Sequence, residues 1–220
     1  MTTVDFRLNA IVDGSLADVA DLAVLAAEAV RGGATLVQYR DKQASSRRMV
    51  EQAVVIRAAI EGRGVPLLIN DRVDVALAAG AHGVHLGAED LEAETARRLL
   101  GPFAIIGLTV KTEQDAQHAA AAPIDYACIG GVFATASKVN TNPPLGLDGY
   151  RALRRGLAEK RPDLPVGAIA GIELDRVAPV IAAGADGVAV IAALFRSGDV
   201  VRTARAFRAA VDAALAERGV

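Results

Sequence analysis

Residues 182–188 read AAGADGV and residues 78–84 read AAGAHGV, so six of the seven positions are the same. Each copy has the pattern of a helix end, a glycine turn and the start of a β-strand, because glycine ends a helix cheaply in the left-handed conformation. The two copies lie about half of the 220-residue chain apart. Such turns recur in any α/β protein, which is the alternative to an internal repeat. A barrel built from two similar halves would produce this spacing.

Short β-branched runs alternate with helical patterns along the whole chain. Between the runs, apolar residues recur with a spacing near 3.6, for example over 16–30, 47–60, 91–100 and 200–217. The predicted strands are Leu8–Val12, Thr35–Arg40, Pro66–Asn70, Gly83–Leu86, Ala104–Leu108, Tyr126–Gly130, Val166–Ala170 and Gly187–Ile191. Eight regular strand–helix units favour a closed parallel barrel over an open, doubly wound sheet. The sequence predicts one α/β domain over residues 1–220, a single (βα)₈ TIM barrel.

The composition excludes several classes of protein. Apolar residues make up 52% of the chain and charged residues 23%, which is too aliphatic for a disordered protein. The formal net charge is −2, so neither nucleic acid nor an anionic membrane is an expected partner. The apolar stretch 187–195 is shorter than the roughly 20 residues of a membrane helix. The N-terminus lacks a signal-peptide pattern and Cys128 is the one cysteine, so we expect a cytoplasmic protein.

Polar residues follow the predicted second strand, where a barrel places its active site. The sequence there is Gln38-Tyr39-Arg40-Asp41-Lys42. Since side chains alternate along a strand, Gln38, Arg40 and Lys42 are predicted to share one face. Two cations at the inner end of a strand need an anion or carboxylates to offset their charge. The alternative is a solvated strand end without a ligand.

Two aspartates follow the third and fourth strands. Asn70 and Asp71 end the third strand, and Asp90 lies in the turn after the fourth. Neighbouring strands are about 4.8 Å apart, so Asp71 and Asp90 can face a common point. Two carboxylates with waters and substrate phosphates suit Mg²⁺. In the alternative, Asp71 pairs with Arg72 and Asp90 caps a helix that starts at Leu91.

The seventh and eighth strands end in small or apolar residues whose backbone can approach a phosphate. These ends read Ala170-Gly171-Ile172 and Val190-Ile191-Ala192, and barrels often bind phosphate at this position. The stretch 132–146, VFATASKVNTNPPLG, has no periodicity and is typical of a functional loop or lid. His85 is predicted either to reach the barrel mouth or to be a satisfied core histidine. Cys128 is interpreted as a small buried side chain.

From about Thr35 to Phe195 the chain resembles the thiamine phosphate synthase family, together with its relative the thiazole tautomerase. Several motifs carry the resemblance, in order: VQYRDK (37–42), INDRVDVAL (69–77), GVHLGAEDL (83–91), IIGLT (105–109), ATASK (134–138), PPLGL (143–147) and GADGVAVI (184–191). Their common order is more specific than any single motif.

The resemblance implies a transferase that joins 4-amino-2-methyl-5-pyrimidinylmethyl diphosphate to hydroxyethylthiazole phosphate and releases pyrophosphate by an Mg²⁺-assisted, dissociative displacement. It implies that Gln38 holds the aminopyrimidine and that Asp71 and Asp90 bind Mg²⁺. The residues implied to grip the diphosphate are Arg40, Lys42, Asn70, Thr109 and Lys138, of which Arg40, Lys42, Thr109 and Lys138 assist catalysis. Those implied to bind the thiazole phosphate are Thr135, Ser137, Gly171, Ile191 and Ala192. The family often pairs, so a homodimer is expected.

The chain departs from the family pattern at a few site positions. Ala170 replaces a usual glycine, Ala192 a common serine and Ala88 a frequent glutamine, while Thr109 stands where serine is common and Ser137 where threonine is usual. Two other functions stay open. One is a thiazole tautomerase, which needs neither Mg²⁺ nor a diphosphate grip, so the retained pair Asp71 and Asp90 argues against it. The other is a barrel that binds a thiamine precursor without turnover, for which the Ala88 and Ala192 changes are the only sequence hints.

Overall fold

Eight parallel strands close into a barrel in the computed structural model, which describes residues 4–18, 20–135 and 143–219. The strands are β1 Leu8–Asp13, β2 Leu36–Arg40, β3 Leu67–Asn70, β4 Gly83–Leu86, β5 Ile105–Val110, β6 Tyr126–Ile129, β7 Val166–Ile169 and β8 Gly187–Val190. Each pairs with its successor, and β1 also pairs with β8. The (βα)₈ barrel predicted from the sequence is confirmed, with every strand within two residues of its predicted ends.

The helices that surround the barrel are α1 Leu22–Arg31, α2 Ser46–Ala59, α3 Val73–Ala79, α4 Ala93–Leu100, α5 Glu113–Ala121, α6 Gly146–Lys160, α7 Val177–Ala182, α8 Ala192–Phe195 and α9 Val200–Arg218. The predicted start of the first helix at Leu16 is wrong, because Leu16 lies in a 3₁₀ turn, Gly14–Asp18. Asp21 sets the true start, since its carboxylate accepts the backbone N–H groups of Ala23 and Val24 at 2.8 and 3.4 Å.

Alternation along the strands separates two apolar layers. On β1, Leu8, Ala10 and Val12 pack in the outer core beneath the helices, whereas Asn9 and Ile11 line the barrel interior. A second apolar cluster fills the interior at the N-terminal ends of the strands; it includes Val4, Phe6, Leu36, Leu68 and Tyr126. The described side chains therefore fill the base of the barrel interior, and a cavity remains toward the carboxyl ends of the strands.

Glycines make room for this base. A Cβ atom at Gly107 would collide with the Tyr126 ring, and one at Gly167 would collide with the Phe6 ring. The two rings contact each other with centroids 5.0 Å apart. Phe6 precedes β1, so the segment before the first strand closes the bottom of the barrel.

The internal repeat occupies equivalent places in the two halves. Gly80 and Gly184 both adopt a positive φ, 62° and 107°, before β4 and β8. These strands lie four apart in the eight-stranded barrel. Among the described helices, none combines the length and apolarity needed to cross a bilayer.

Candidate active site

Two adjoining cavities open at the carboxyl ends of the strands. The deep cavity, about 960 Å³ with its open mouth, extends into the barrel and is lined among others by Asn9, Gln38, Cys128, Ile169 and Ala189. The outer cavity, about 890 Å³ with the solvent at its open side, lies over the ends of β2 to β5 and is lined among others by Lys42, Asp71, Asp90 and Asp115. Four residues line both cavities and mark their junction: Arg40, Asn70, Thr109 and Lys111.

Asp71 and Asp90 face each other in the outer cavity, as their spacing predicts. The pKa of Asp90 is raised above its usual range, first by burial and then by the facing carboxyl group of Asp71. The Asp90 carboxylate accepts the backbone N–H of Gly87 at 2.7 Å, and Lys42 forms an ion pair with Asp71. Asp71 is held at a positive φ of 63°, and its N–H donates to the His85 carbonyl at 2.8 Å.

The structural alternatives for the two aspartates are wrong. Arg72 pairs with Asp74 rather than Asp71, with 2.8 Å between the Arg72 Nε and the Asp74 Oδ1. Helix α4 begins at Ala93, and Glu92 precedes it, so Asp90 is not its cap. Both carboxylates are consequently free of these structural roles and point into the outer cavity.

The basic side chains of the site belong to different structural elements. Arg40 ends β2 and forms a largely buried ion pair with Asp13, which ends β1 in the same register. Gln38, two residues earlier, lines the deep cavity. The predicted shared face holds for Gln38 and Arg40 only, because β2 stops at Arg40. Lys42 lies beyond the strand, half exposed, and reaches only the outer cavity.

Sequence reasoning missed Asp13 and Lys111. Burial by itself would raise the pKa of the Asp13 carboxyl, but hydrogen bonds from Ser15 and Arg40 bring it below its usual range. Lys111 follows Thr109 by two residues and lines both cavities, as Thr109 does. The signal that was available is alternation: Asp13 continues the inner face of β1, and Lys111 continues that of β5.

His85 connects the site to the base of the barrel. Its Nε2 lies 2.8 Å from the Thr109 hydroxyl, and its Nδ1 lies 2.8 Å from the Tyr126 hydroxyl. The His85 and Tyr126 rings stack with their centroids 5.5 Å apart. Burial raises the pKa of Tyr126 well above its usual value, so this hydroxyl stays neutral and can donate. His85 is both buried and part of the cavity wall, and it orients Thr109.

The far wall of the deep cavity comes from β7 and β8. Gly171, at a φ of 62°, Ile191 and Ala192 lie there, with Thr135 nearby. A Cβ atom at Gly171 would collide with the Ala134 carbonyl oxygen, so this position requires glycine. Ala192 starts α8, and the first N–H groups of a helix have no partner within it. Ser137 and Lys138 lie outside the described residues, as does the rest of the stretch 136–142 of the predicted lid.

Comparison with known proteins agrees with this geometry. A family model described as thiamine monophosphate synthase matches residues 8–194. The chain belongs to this family. A thiamine-phosphate synthase from Agrobacterium fabrum is 63% identical over 218 residues, 99% of each chain. A thiamine-phosphate synthase from Chloroflexus aurantiacus is 42% identical over 94% of each chain.

A solved structure matches this chain over nearly the full length of both proteins. The thiamine phosphate pyrophosphorylase from Pyrococcus furiosus superimposes with a TM-score of 0.83 at 33% identity, over 97% of this chain and 98% of that one. The family resemblance found in the sequence is thereby confirmed.

Ala170 has an unusual backbone conformation for a residue other than glycine. It adopts a φ of 92°. Its carbonyl accepts the N–H of Phe133 at 3.1 Å, and Arg176 lies over the Phe133 ring at 4.7 Å. These contacts hold the β7 turn in a conformation that alanine adopts only with strain.

Proposed function

We propose that this chain is a thiamine-phosphate synthase. It would transfer the 4-amino-2-methyl-5-pyrimidinylmethyl group from its diphosphate to the ring nitrogen of hydroxyethylthiazole phosphate, with release of pyrophosphate. The observation that carries the proposal is the contact between a deep cavity, lined largely by uncharged residues, and an outer cavity lined by cations and paired carboxylates. A flat heterocycle fits the first, and a diphosphate fits the second.

The reacting bond would lie at the junction of the two cavities. There the bond between the exocyclic methylene carbon and the diphosphate oxygen breaks, and its electron pair leaves with pyrophosphate. Arg40 and Lys111 line this junction, and Lys42 lies beside it. Cations held in place before the reaction stabilise the growing negative charge without reorganisation. The thiazole nitrogen then gives its lone pair to the methylene carbon, whose positive charge the aminopyrimidine delocalises.

No enzyme nucleophile takes part in this displacement. Cys128 lines the deep cavity, but burial raises the pKa of its thiol well above the usual range, so the thiolate is not formed near neutral pH. The chain's contribution is positioning and charge stabilisation. Asn70 and Thr109, both at the junction, would orient the diphosphate by hydrogen bonds.

Asp71 and Asp90 fit a magnesium ion. Burial raises the pKa of Asp90 and the facing Asp71 carboxyl group raises it further, and a divalent cation held by the two carboxylates would offset the repulsion between them. Within residues 4–18, 20–135 and 143–219, no cluster of three or more histidine, cysteine or acidic residues offers a complete protein shell. A site with two carboxylates leaves positions for water and substrate phosphate, as Mg²⁺ prefers. When bound, Mg²⁺ would supply Lewis-acid neutralisation of the leaving group.

The thiazole phosphate would lie against β7 and β8. Gly171, Ile191 and Ala192 offer backbone N–H groups there, and Thr135 adds a hydroxyl. Ser137 and Lys138 belong to the same proposal on the strength of the family motif. Because residue 192 is alanine rather than serine, this wall has one hydroxyl fewer but keeps its backbone donors.

The tautomerase and the non-catalytic carrier remain the competing functions. A tautomerase would need neither the carboxylate pair nor the cations of the outer cavity, so this cavity favours the synthase. A carrier would bind both precursors and release neither pyrophosphate nor thiamine phosphate. A homodimer and a cytoplasmic location stay predictions from the sequence.

The deciding experiment is an assay of the purified protein with pyrimidine diphosphate, thiazole phosphate and Mg²⁺, with each omitted in turn. We expect pyrophosphate release that needs all three and matches thiamine phosphate in amount. Binding of both substrates without product would favour the carrier. Turnover of a carboxylated thiazole phosphate alone would favour the tautomerase.

A further inference from the structure

Asn9 lies on the wall of the deep cavity, and its side-chain oxygen has no hydrogen-bond partner among the described residues. Asn9 is 1% exposed, and its Oδ1 makes no hydrogen bond to any described residue. It faces the barrel interior from β1, two residues before Ile11 on the same face. Its neighbours in register are Leu36 on β2 and Ala189 on β8, neither of which has a polar side chain.

An arrangement of this kind destabilises the protein in the absence of a ligand. A buried amide oxygen that has lost its water and gained no partner lowers the stability of the folded state. Leucine has a similar size and would suit the neighbouring Leu36 and Ala189. A polar side chain that is unsatisfied by the fold and lies on a cavity wall is instead suited to a ligand that completes its hydrogen bonds.

The proposed function supplies a ligand with the matching edge. An aminopyrimidine carries an N–H donor on its amino group next to a ring-nitrogen acceptor. A carboxamide offers an acceptor and a donor at the same separation, which is how asparagine pairs with the amino edge of adenine. Rotation of the amide by 180° exchanges its oxygen and nitrogen, so Asn9 can present either atom to the cavity.

We propose that Asn9 is a specificity-determining residue that pairs with the 4-amino group and the adjacent ring nitrogen of the pyrimidine substrate. This inference rests on the proposed function. The family resemblance assigns only Gln38 to the pyrimidine; Asn9 is a second amide on the neighbouring strand, on the same inner face. The pyrimidine has two amino N–H groups and two ring nitrogens, so it can satisfy both amides.

Asn9 has no part in holding either phosphate. Lys42, Asp71 and Asp90 lie in the outer cavity, which Asn9 does not line, and Arg40 and Lys111 lie at the junction of the two cavities. Gly171, Ile191 and Ala192 belong to the β7–β8 wall. A change at Asn9 is therefore expected to alter recognition of the pyrimidine ring and to leave binding of thiazole phosphate unchanged.

The test compares Asn9→Leu with wild type and with the control Ile11→Leu, which alters the same wall without an amide. Dissociation constants are measured with Mg²⁺ for the pyrimidine diphosphate, for its analogue with hydrogen in place of the 4-amino group, and for thiazole phosphate. We expect wild type to prefer the amino compound, and Asn9→Leu to reduce this preference about tenfold. Ile11→Leu should retain it.

Thermal unfolding provides the second readout. Without ligand, Asn9→Leu should unfold a few degrees above wild type, because it removes the unsatisfied amide. Asn9→Ser, which keeps a small acceptor, should show an intermediate preference and serves if Asn9→Leu does not fold. The same preference in both folded Asn9 variants as in wild type overturns the proposal, as does an equal loss in Ile11→Leu.

Failure of the proposed function has a different signature. If wild type forms no thiamine phosphate and binds no pyrimidine diphosphate, the synthase assignment and the role of Asn9 both fall. If wild type forms thiamine phosphate and Asn9→Leu keeps the preference for the amino compound, only the role of Asn9 falls.

Discussion

Ala170 is a single residue whose conformation costs stability. It holds a φ of 92° without being glycine. Ala170→Gly should raise the free energy of unfolding by about 1 kcal/mol, because glycine adopts this conformation without the Cβ clash and the relief exceeds its larger unfolded-state entropy. Urea titration measures the change. Ala168→Gly, in the extended and buried part of β7, should lower stability; equal gains at both positions would contradict the strain.

Asp71 and Asp90 are the two individual residues proposed to bind Mg²⁺. Asp71→Asn or Asp90→Asn should abolish most turnover, since either change halves the carboxylate charge available to Mg²⁺. Thermal unfolding should stay near that of wild type, because both side chains line the outer cavity rather than the apolar core. Initial rates of pyrophosphate release across a range of Mg²⁺ concentrations measure the effect. Asp74→Asn, an exposed carboxylate paired with Arg72, is the control. Normal Mg²⁺ dependence in both site variants would exclude this metal site.

The ion pair between Asp13 and Arg40 belongs to the scale of elements, because it joins the ends of β1 and β2. The folded-state pKa of Asp13 is lowered, so the carboxylate stabilises the fold above its ordinary pKa of 3.8 and loses that contribution as the pH falls through its lower, folded value. In Asp13→Asn, the free energy of unfolding should therefore fall less steeply than in wild type as the pH drops below about 4. Urea midpoints at a series of pH values test this, with Asp18→Asn, an exposed partner of Arg196, as the control.

Asp13→Asn should also weaken the grip on the diphosphate. Arg40 would lose the partner that fixes its side chain, so we expect a higher KM for the pyrimidine diphosphate and a smaller change in kcat. If both the KM and the pH dependence of the free energy of unfolding are unchanged, the ion pair neither orients Arg40 nor stabilises the ends of β1 and β2.

At the scale of the whole molecule, the base of the barrel supports the site above it. Phe6 is fully buried against Tyr126, and Tyr126 holds His85, which orients Thr109 at the junction. Phe6→Ala should cost about 3–5 kcal/mol of stability by opening a cavity at the base. Denaturant unfolding measures it. Phe103→Ala, at a ring that is 96% exposed, should change stability by less than about 0.5 kcal/mol.

The amino-acid sequence by itself determined the order of the elements, because β-branched runs and 3.6-residue periodicity are local properties of the chain. It also placed Asp71, Asp90, Arg40 and Thr109 at the carboxyl ends of strands, where a barrel puts its site. These four residues line the same two cavities because the sheet closes into a barrel. Their individual roles stay predictions.

Only the tertiary structure decided which side chains meet. Asp13 with Arg40 and His85 with Tyr126 are contacts between different strands, and Lys42 with Asp71 is a contact between the segments that follow β2 and β3. No local pattern distinguishes these residues from solvated or core residues. The same holds for Asn9, whose amide is unsatisfied only because β2 and β8 bring leucine and alanine beside it. Local periodicity fixes where a strand runs; closure of the barrel fixes what each inward side chain faces, because that depends on residues far away in the chain.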